Sequence, residues 1–76
     1  MALTPTAQTG RNVRAEMARA GVSQIDLAER VGLSQSGLSK RLRGVVPFDV
    51  NELDAIATAL GVPVVSLLPQ PEAVAS

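Results

Sequence analysis

Gln35, Ser36, Ser39, Lys40 and Arg43 lie close together in the chain and carry amide, hydroxyl, ammonium and guanidinium groups. Nothing in the set resembles a nucleophile beside its base, because the chain has no histidine and no cysteine. Serine–lysine or paired-carboxylate chemistry would need a pocket, which a few short helices scarcely provide. What these groups share is the exchange of hydrogen bonds with a partner. On a helix of about 100° per residue with Gln35 at zero, Ser39, Arg43, Ser36 and Lys40 fall at about 40°, 80°, 100° and 140°. Leu38 and Leu42 fall near about 300° and 340°, and Arg41 near about 240°. One face is therefore polar and another apolar. An amide can bond two atoms of an adenine edge, an ammonium reaches guanine O6 or N7, and hydroxyls adapt to either. The polar face has the chemistry that base edges and phosphates require.

A face of this kind must be held by other elements, and punctuation in the sequence shows where they lie. The spacing predicts a first helix from about Thr6 or Thr9 to Ala20, with Val13, Met17 and Ala20 on one stripe and Gly21 as its stop. Gly10 makes the start ambiguous, since glycine weakens a helix interior. Ser23 caps a second helix, with Asp26 placed to return a bond; Leu27, Ala28 and Val31 face inward and Gly32 ends it. The third opens at Ser34 and ends before Gly44. Asp49 and Glu52 form a capping box for a fourth, in which Leu53, Ile56, Ala57 and Leu60 recur at helical spacing before Gly61. Pro63 sits in the first turn of a last short helix through Leu68, closed by Pro69 and Pro71. The expected organisation is a flexible N-terminal segment at 1–8, one domain at 9–68 and a disordered tail at 69–76. The expected fold is all-α, a compact bundle of four to five helices.

Composition narrows the classes further. Seventy-six residues make one domain with one small core, and with a single aromatic residue, Phe48, that core is aliphatic. Without cysteine or histidine there are no disulfide staples and no usual zinc ligands, so neither a metal nor a cofactor is expected. No apolar run approaches the ~20 residues of a membrane span, and the N-terminus has no signal-peptide pattern; a cytoplasmic location is expected. Net charge is zero, but residues 1–44 hold all seven basic side chains and three acids, a net of +4, while 45–76 hold four acids and no base. A basic half that meets phosphates and an acidic half that faces away is the implied arrangement.

Ser23 to Gly44 places two short helices around the turn Val31-Gly32-Leu33-Ser34, so that they cross steeply and leave the second protruding, which suits a major groove. With Gln24, Leu27-Ala28, Gly32, Ser34, Leu38 and Gly44 at their spacing, the stretch resembles the helix-turn-helix of the lambda repressor and Cro family, also called the XRE family. Gln35-Ser36-Gly37 resembles the opening of a recognition helix in that family, and Leu53 to Val62 its later helices, so the resemblance covers about residues 9–68. It implies a lambda repressor-like DNA-binding domain: a sequence-specific regulator of transcription, a repressor of phage or bacterial type that occludes its operator. The implied partners are a pseudo-palindromic double-stranded operator and a second copy of the chain, with no membrane and no small-molecule ligand.

By the same resemblance Gln35 and Ser36 read bases, with Ser39 and Lys40 as further base or phosphate contacts. Gln24 bonds a phosphate and braces Gln35. Gly37 allows close backbone approach, Arg43 grips phosphate, and the helix N-terminus at Ser34 adds free amides and partial positive charge. Departures from the family pattern are informative. Where many relatives pair an arginine with a glutamate between helices one and three, Met17 and Leu42 stand, and both are read as core. Val46 and Asp49 occupy positions where lambda repressor has DNA-contacting asparagines, and there is no basic N-terminal arm, so contacts per subunit should be fewer. Arg41 points away from Gln35 and is read as laying its stem on the bundle surface. Arg11, Arg14 and Arg19 fit phosphate contacts and solvated charges equally well. The rival to a DNA reader is a protein-interaction module such as an antitoxin, because the segment Val62 to Leu68 is strongly apolar; Val62, Val65 and Leu68 are the candidate dimer face.

Overall fold

The computed structural model describes residues 3–70. Helix α1 spans Pro5–Ala20, α2 Gln24–Val31, α3 Gln35–Leu42 and α4 Val50–Leu60, followed by a 3-10 turn at Val64–Leu67. Each α-helix begins at a side chain able to accept a bond from an orphan amide. Thr4 Oγ1, Ser23 Oγ, Ser34 Oγ and an Asp49 carboxylate oxygen take the amides of Ala7, Asp26, Gly37 and Glu52. The reciprocal capping-box bond closes at α4, where Asp49 N donates to Glu52 Oε1 at 3.0 Å. At α2 the cap is Ser23 alone; the return bond expected of Asp26 is not formed. The last element is a 3-10 turn behind Pro63.

Helix α1 starts earlier than its composition suggests. Thr4 caps it and Pro5 occupies its first turn, where the missing amide costs nothing. Residues 5–8, expected within a flexible segment, are thus the opening turn of α1. Gly10 lies in mid-helix and buried, and its role is spatial: a Cβ there would stand 2.5 Å from Leu42 O and 2.8 Å from Arg41 O. The missing side chain lets α1 lie against the carboxyl end of α3. Of the expected tail 69–76, residues 71–76 lie outside the described residues.

At each helix end an amide bonds back across a glycine: Val22 to Met17, Leu33 to Ala28 and Val62 to Ala57, each two residues past its helix, and Val45 to Lys40, three past α3 because Arg43 intervenes. Val22, Leu33 and Val62 fold onto the core, whereas Val45 after α3 stays 65% exposed. Gly44, at φ +77°, makes the α3 exit, and a Cβ on it would also meet Ala7 Cα at 2.9 Å.

The core is one aliphatic cluster drawn from every element: Val13 and Met17 of α1, Leu27 and Ala28 of α2, Leu38 and Leu42 of α3, four residues of α4, and Leu67. Helix α1 packs on α3, α4 and the 3-10 turn, while α2 packs on α3 and α4. Met17 and Leu42 are both buried, so the two positions hold an apolar contact region in place of a charge pair. Asn12 fastens the exit of the 3-10 turn by donating from Nδ2 to Leu68 O at 3.0 Å and Leu67 O at 3.4 Å. Among the described residues no helix is long and apolar enough to cross a membrane.

Candidate nucleic-acid interface

Helix α3 is anchored from behind and free in front. Leu38 and Leu42 are 0% and 2% exposed, so the rotation of the helix about its own axis is fixed by core packing. On the other side Gln35, Ser36, Lys40 and Arg43 are exposed and Ser39 is half-buried. These five side chains therefore share a solvent-facing surface, as the helical wheel anticipates. Arg43 Nε lies 3.4 Å from Ser39 O, a long contact within its own helix that leaves the rest of the guanidinium free.

The start of α3 is built as an anion-tolerant end. Ser34 Oγ accepts from Gly37 N at 2.9 Å, so its hydroxyl proton remains available to donate outward. The amides of the first turn that find no intrahelical acceptor, together with the helix dipole, put partial positive charge at this end. Gln24 is also exposed, at the first position of α2. The bond by which Gln24 would brace Gln35 is not formed among the described residues, so both amides stand free in the protein alone.

Arg41 is where wheel geometry falls short. It does point away from Gln35, but its head group is not simply solvated. Nε and Nη2 donate to Glu52 Oε1 and Oε2 at 2.9 and 3.2 Å, and Nη1 donates to Gly37 O at 2.9 Å. The two side chains are only 20% and 16% exposed, and the fork-on-fork geometry makes the pair stronger than an ordinary surface ion pair. Gly37 has a structural reason beside the expected one: a Cβ there would lie 3.0 Å from Ser34 Oγ and 3.1 Å from Arg41 Nη1. The sequence signal for this pair was Glu52 itself, already marked by its capping role, opposite the one α3 cation that leaves the polar face.

Of the remaining cations, Arg11 and Arg14 are exposed, and Arg19 is engaged by Glu16 in its own helix. Of the expected dimer face, Val65 is 57% and Leu68 37% exposed, while Val62 is half-buried against the core; the neighbouring Val64 is 39% exposed.

A short helix locked by two leucines, offering amide, hydroxyl and cationic groups outward across a tight turn from its neighbour, is a helix-turn-helix. Residues 13–67 match the Helix-turn-helix family. The chain belongs to the XRE-type helix-turn-helix family. A member of this family is a DNA-binding transcription regulator. Among solved structures, the XRE-type chain is similar to the restriction-modification controller protein C.AhdI of Aeromonas hydrophila, at 27% identity, 83% of this chain, 96% of that one and a TM-score of 0.78. The clp gene regulator ClgR of Corynebacterium glutamicum is similar at 28% identity, 86% of this chain, 69% of that one and a TM-score of 0.82. HEPD of Streptomyces albus, solved with its substrate 2-hydroxyethylphosphonate and Fe(II), is similar at 37% identity and a TM-score of 0.74 over 90% of this chain. That match spans 15% of the HEPD chain, so it relates this helix-turn-helix to a small part of a larger protein. No curated protein sequence matches the chain.

Proposed function

We propose that this XRE-type chain is a sequence-specific repressor that binds a pseudo-palindromic double-stranded operator as a homodimer and acts by occluding it. The observation that carries the reading is the polar surface of α3, where Gln35, Ser36 and Lys40 are exposed while Leu38 and Leu42 of the same helix are buried. Gln35 and Ser36 read base edges at the start of the helix, and Ser39 and Lys40 extend the readout. Ser34, Gln24 and Arg43 hold the backbone, and Gly37 permits close approach. Two bacterial neighbours are named as a controller protein and a gene regulator, which supports a bacterial regulator over a phage switch. The exposed Val64, Val65 and Leu68 support pairing of two copies, each presenting one α3 to a half-site about one helical turn from the other. The working compartment is the cytoplasm, where the DNA is.

The same valine-rich surface carries the second reading, an antitoxin-like module whose partner is a different protein. Selection of bound sequences from a random duplex pool at physiological salt separates the two. An enriched palindrome with adenine in each half-site is the expected result, since Gln35 is the amide reader. A single enriched half-site would retain DNA recognition and remove the dimer. No enrichment by folded protein would leave the interaction module as the better account.

A further inference from the structure

The DNA reading leaves Arg41 unused, yet it makes the densest polar connections of any side chain on α3. Its three donated bonds join two elements that nothing else polar joins in this region: the Gly37 carbonyl, in the base-reading half of α3, and the Glu52 carboxylate, at the N-terminus of α4. Glu52 is itself fixed, because Oε1 also accepts from Asp49 N at 3.0 Å while Glu52 N donates to Asp49 at 2.7 Å. The guanidinium therefore links the opening turns of α3 and α4, with the Gly44–Phe48 loop between them. Leucine packing alone resists rotation of α3 but allows it to slide or tilt along an aliphatic surface. A bidentate, planar contact is directional and resists both.

Charge gives a second reason. A free carboxylate at Glu52, close to the end of the helix that meets DNA, would repel phosphate, and Arg41 neutralises it in place. The pair is electrically silent toward DNA, so Arg41 should not add to the count of phosphate-neutralising cations.

We propose that Arg41 is a positioning residue for DNA readout: by bridging Gly37 and Glu52 it sets the tilt of the recognition helix, and with it the discrimination between operator and other sequences. The proposal rests on the DNA-binding reading above. It also assigns Gly37 a cause, since any larger residue would press on the bridging guanidinium.

The test is the double variant Arg41→Gln/Glu52→Gln, which removes the directional bridge at constant net charge, compared with Arg41→Lys, which keeps a cation but cannot span three acceptors. Affinity is measured by fluorescence anisotropy for the selected operator and for a scrambled duplex, across a salt series, well below each variant's melting temperature. The expected result is a fall of about tenfold in the operator-to-scrambled ratio, the scale of one lost base contact, with scrambled-duplex affinity and salt slope unchanged. Arg41→Lys should show part of the same loss. Two results would overturn the proposal: an unchanged ratio in folded variants, meaning that the bridge only stabilises, or an equal loss on both duplexes with a salt slope lower by about one in the double variant, meaning that Arg41 touches phosphate. If the double variant fails to fold, the ratio for Arg41→Lys decides by the same criteria. Failure of the unmodified protein to bind any duplex is a separate outcome, which removes the DNA reading and this proposal together.

Discussion

Replacing Gly10 with alanine puts two physical effects against each other with opposite signs. In a helix interior alanine is better than glycine by about 1 kcal/mol, so propensity alone predicts stabilisation. The new Cβ, however, would lie 2.5 Å from Leu42 O and 2.8 Å from Arg41 O, where ordinary contact begins at 3.4 Å. The nearer contact falls short by about 0.9 Å, and the obstacle is backbone, which cannot turn aside as a side chain would. Overpacking of this kind costs about 1–3 kcal/mol, and a backbone clash belongs at the upper end. The net expectation is destabilisation by about 2 kcal/mol, which for a domain of this size lowers the melting temperature by about 8–16 °C. Thermal unfolding followed by helical circular dichroism reads it directly. Since α1 would be pushed from the end of α3, operator affinity should fall as well, even at temperatures where the variant is folded. A melting temperature that rises by about 4–8 °C would refute the reasoning, because it would mean that propensity outweighs the contact.

Gln35→Ala should weaken binding to the selected operator by about 1–3 kcal/mol and leave scrambled duplex nearly unaffected; equal weakening of both, measured by anisotropy, would remove Gln35 from base reading. Arg43→Ala should lower affinity for every sequence and reduce the slope of log affinity against log salt by about one, and an unchanged slope would remove it from the phosphate contacts. Val65→Asp, at a position 57% exposed, should leave the melting temperature of the isolated chain nearly unchanged while shifting sedimentation toward monomer and weakening operator binding. A dimer that persists would move the contact to another surface.

What could be read from the sequence was what neighbouring residues decide among themselves. Ser23, Ser34 and Asp49 each cap a helix through an amide three residues on, a bond made within one turn and so visible as spacing. The inward leucines of α3 and the amphipathic stripe of α4 are equally local, and they orient Gln35, Ser36 and Lys40 outward without reference to the rest of the chain. Readings failed where a distant partner decides. Gly10 looks like a weak point in α1 until the carbonyls of Arg41 and Leu42 are set against it, and those come from more than thirty positions away. That ambiguity hid the start of α1, although Thr4-Pro5 carried an adequate opening signal. Arg41 could be placed on the correct side of α3, but a wheel gives direction and not destination, so Glu52 became its partner only in three dimensions. Val62, grouped with Val65 by apolar character, also packs part of its side chain on the core after the last turn of α4.

The fastening of residues 67–68 to α1 has a consequence for when the core is completed. Leu67 is fully buried, and Asn12 bonds the carbonyls beside it, across 55 and 56 positions of sequence. Helices α2 and α3 are complete once Leu42 has been made, but the core against which they are held lacks a member until Leu67 arrives. During synthesis the chain grows from its N-terminus, so α2 and α3 leave the ribosome as a pair without a finished support. The support of α2 and α3 is thus finished only when Leu67 has joined the core.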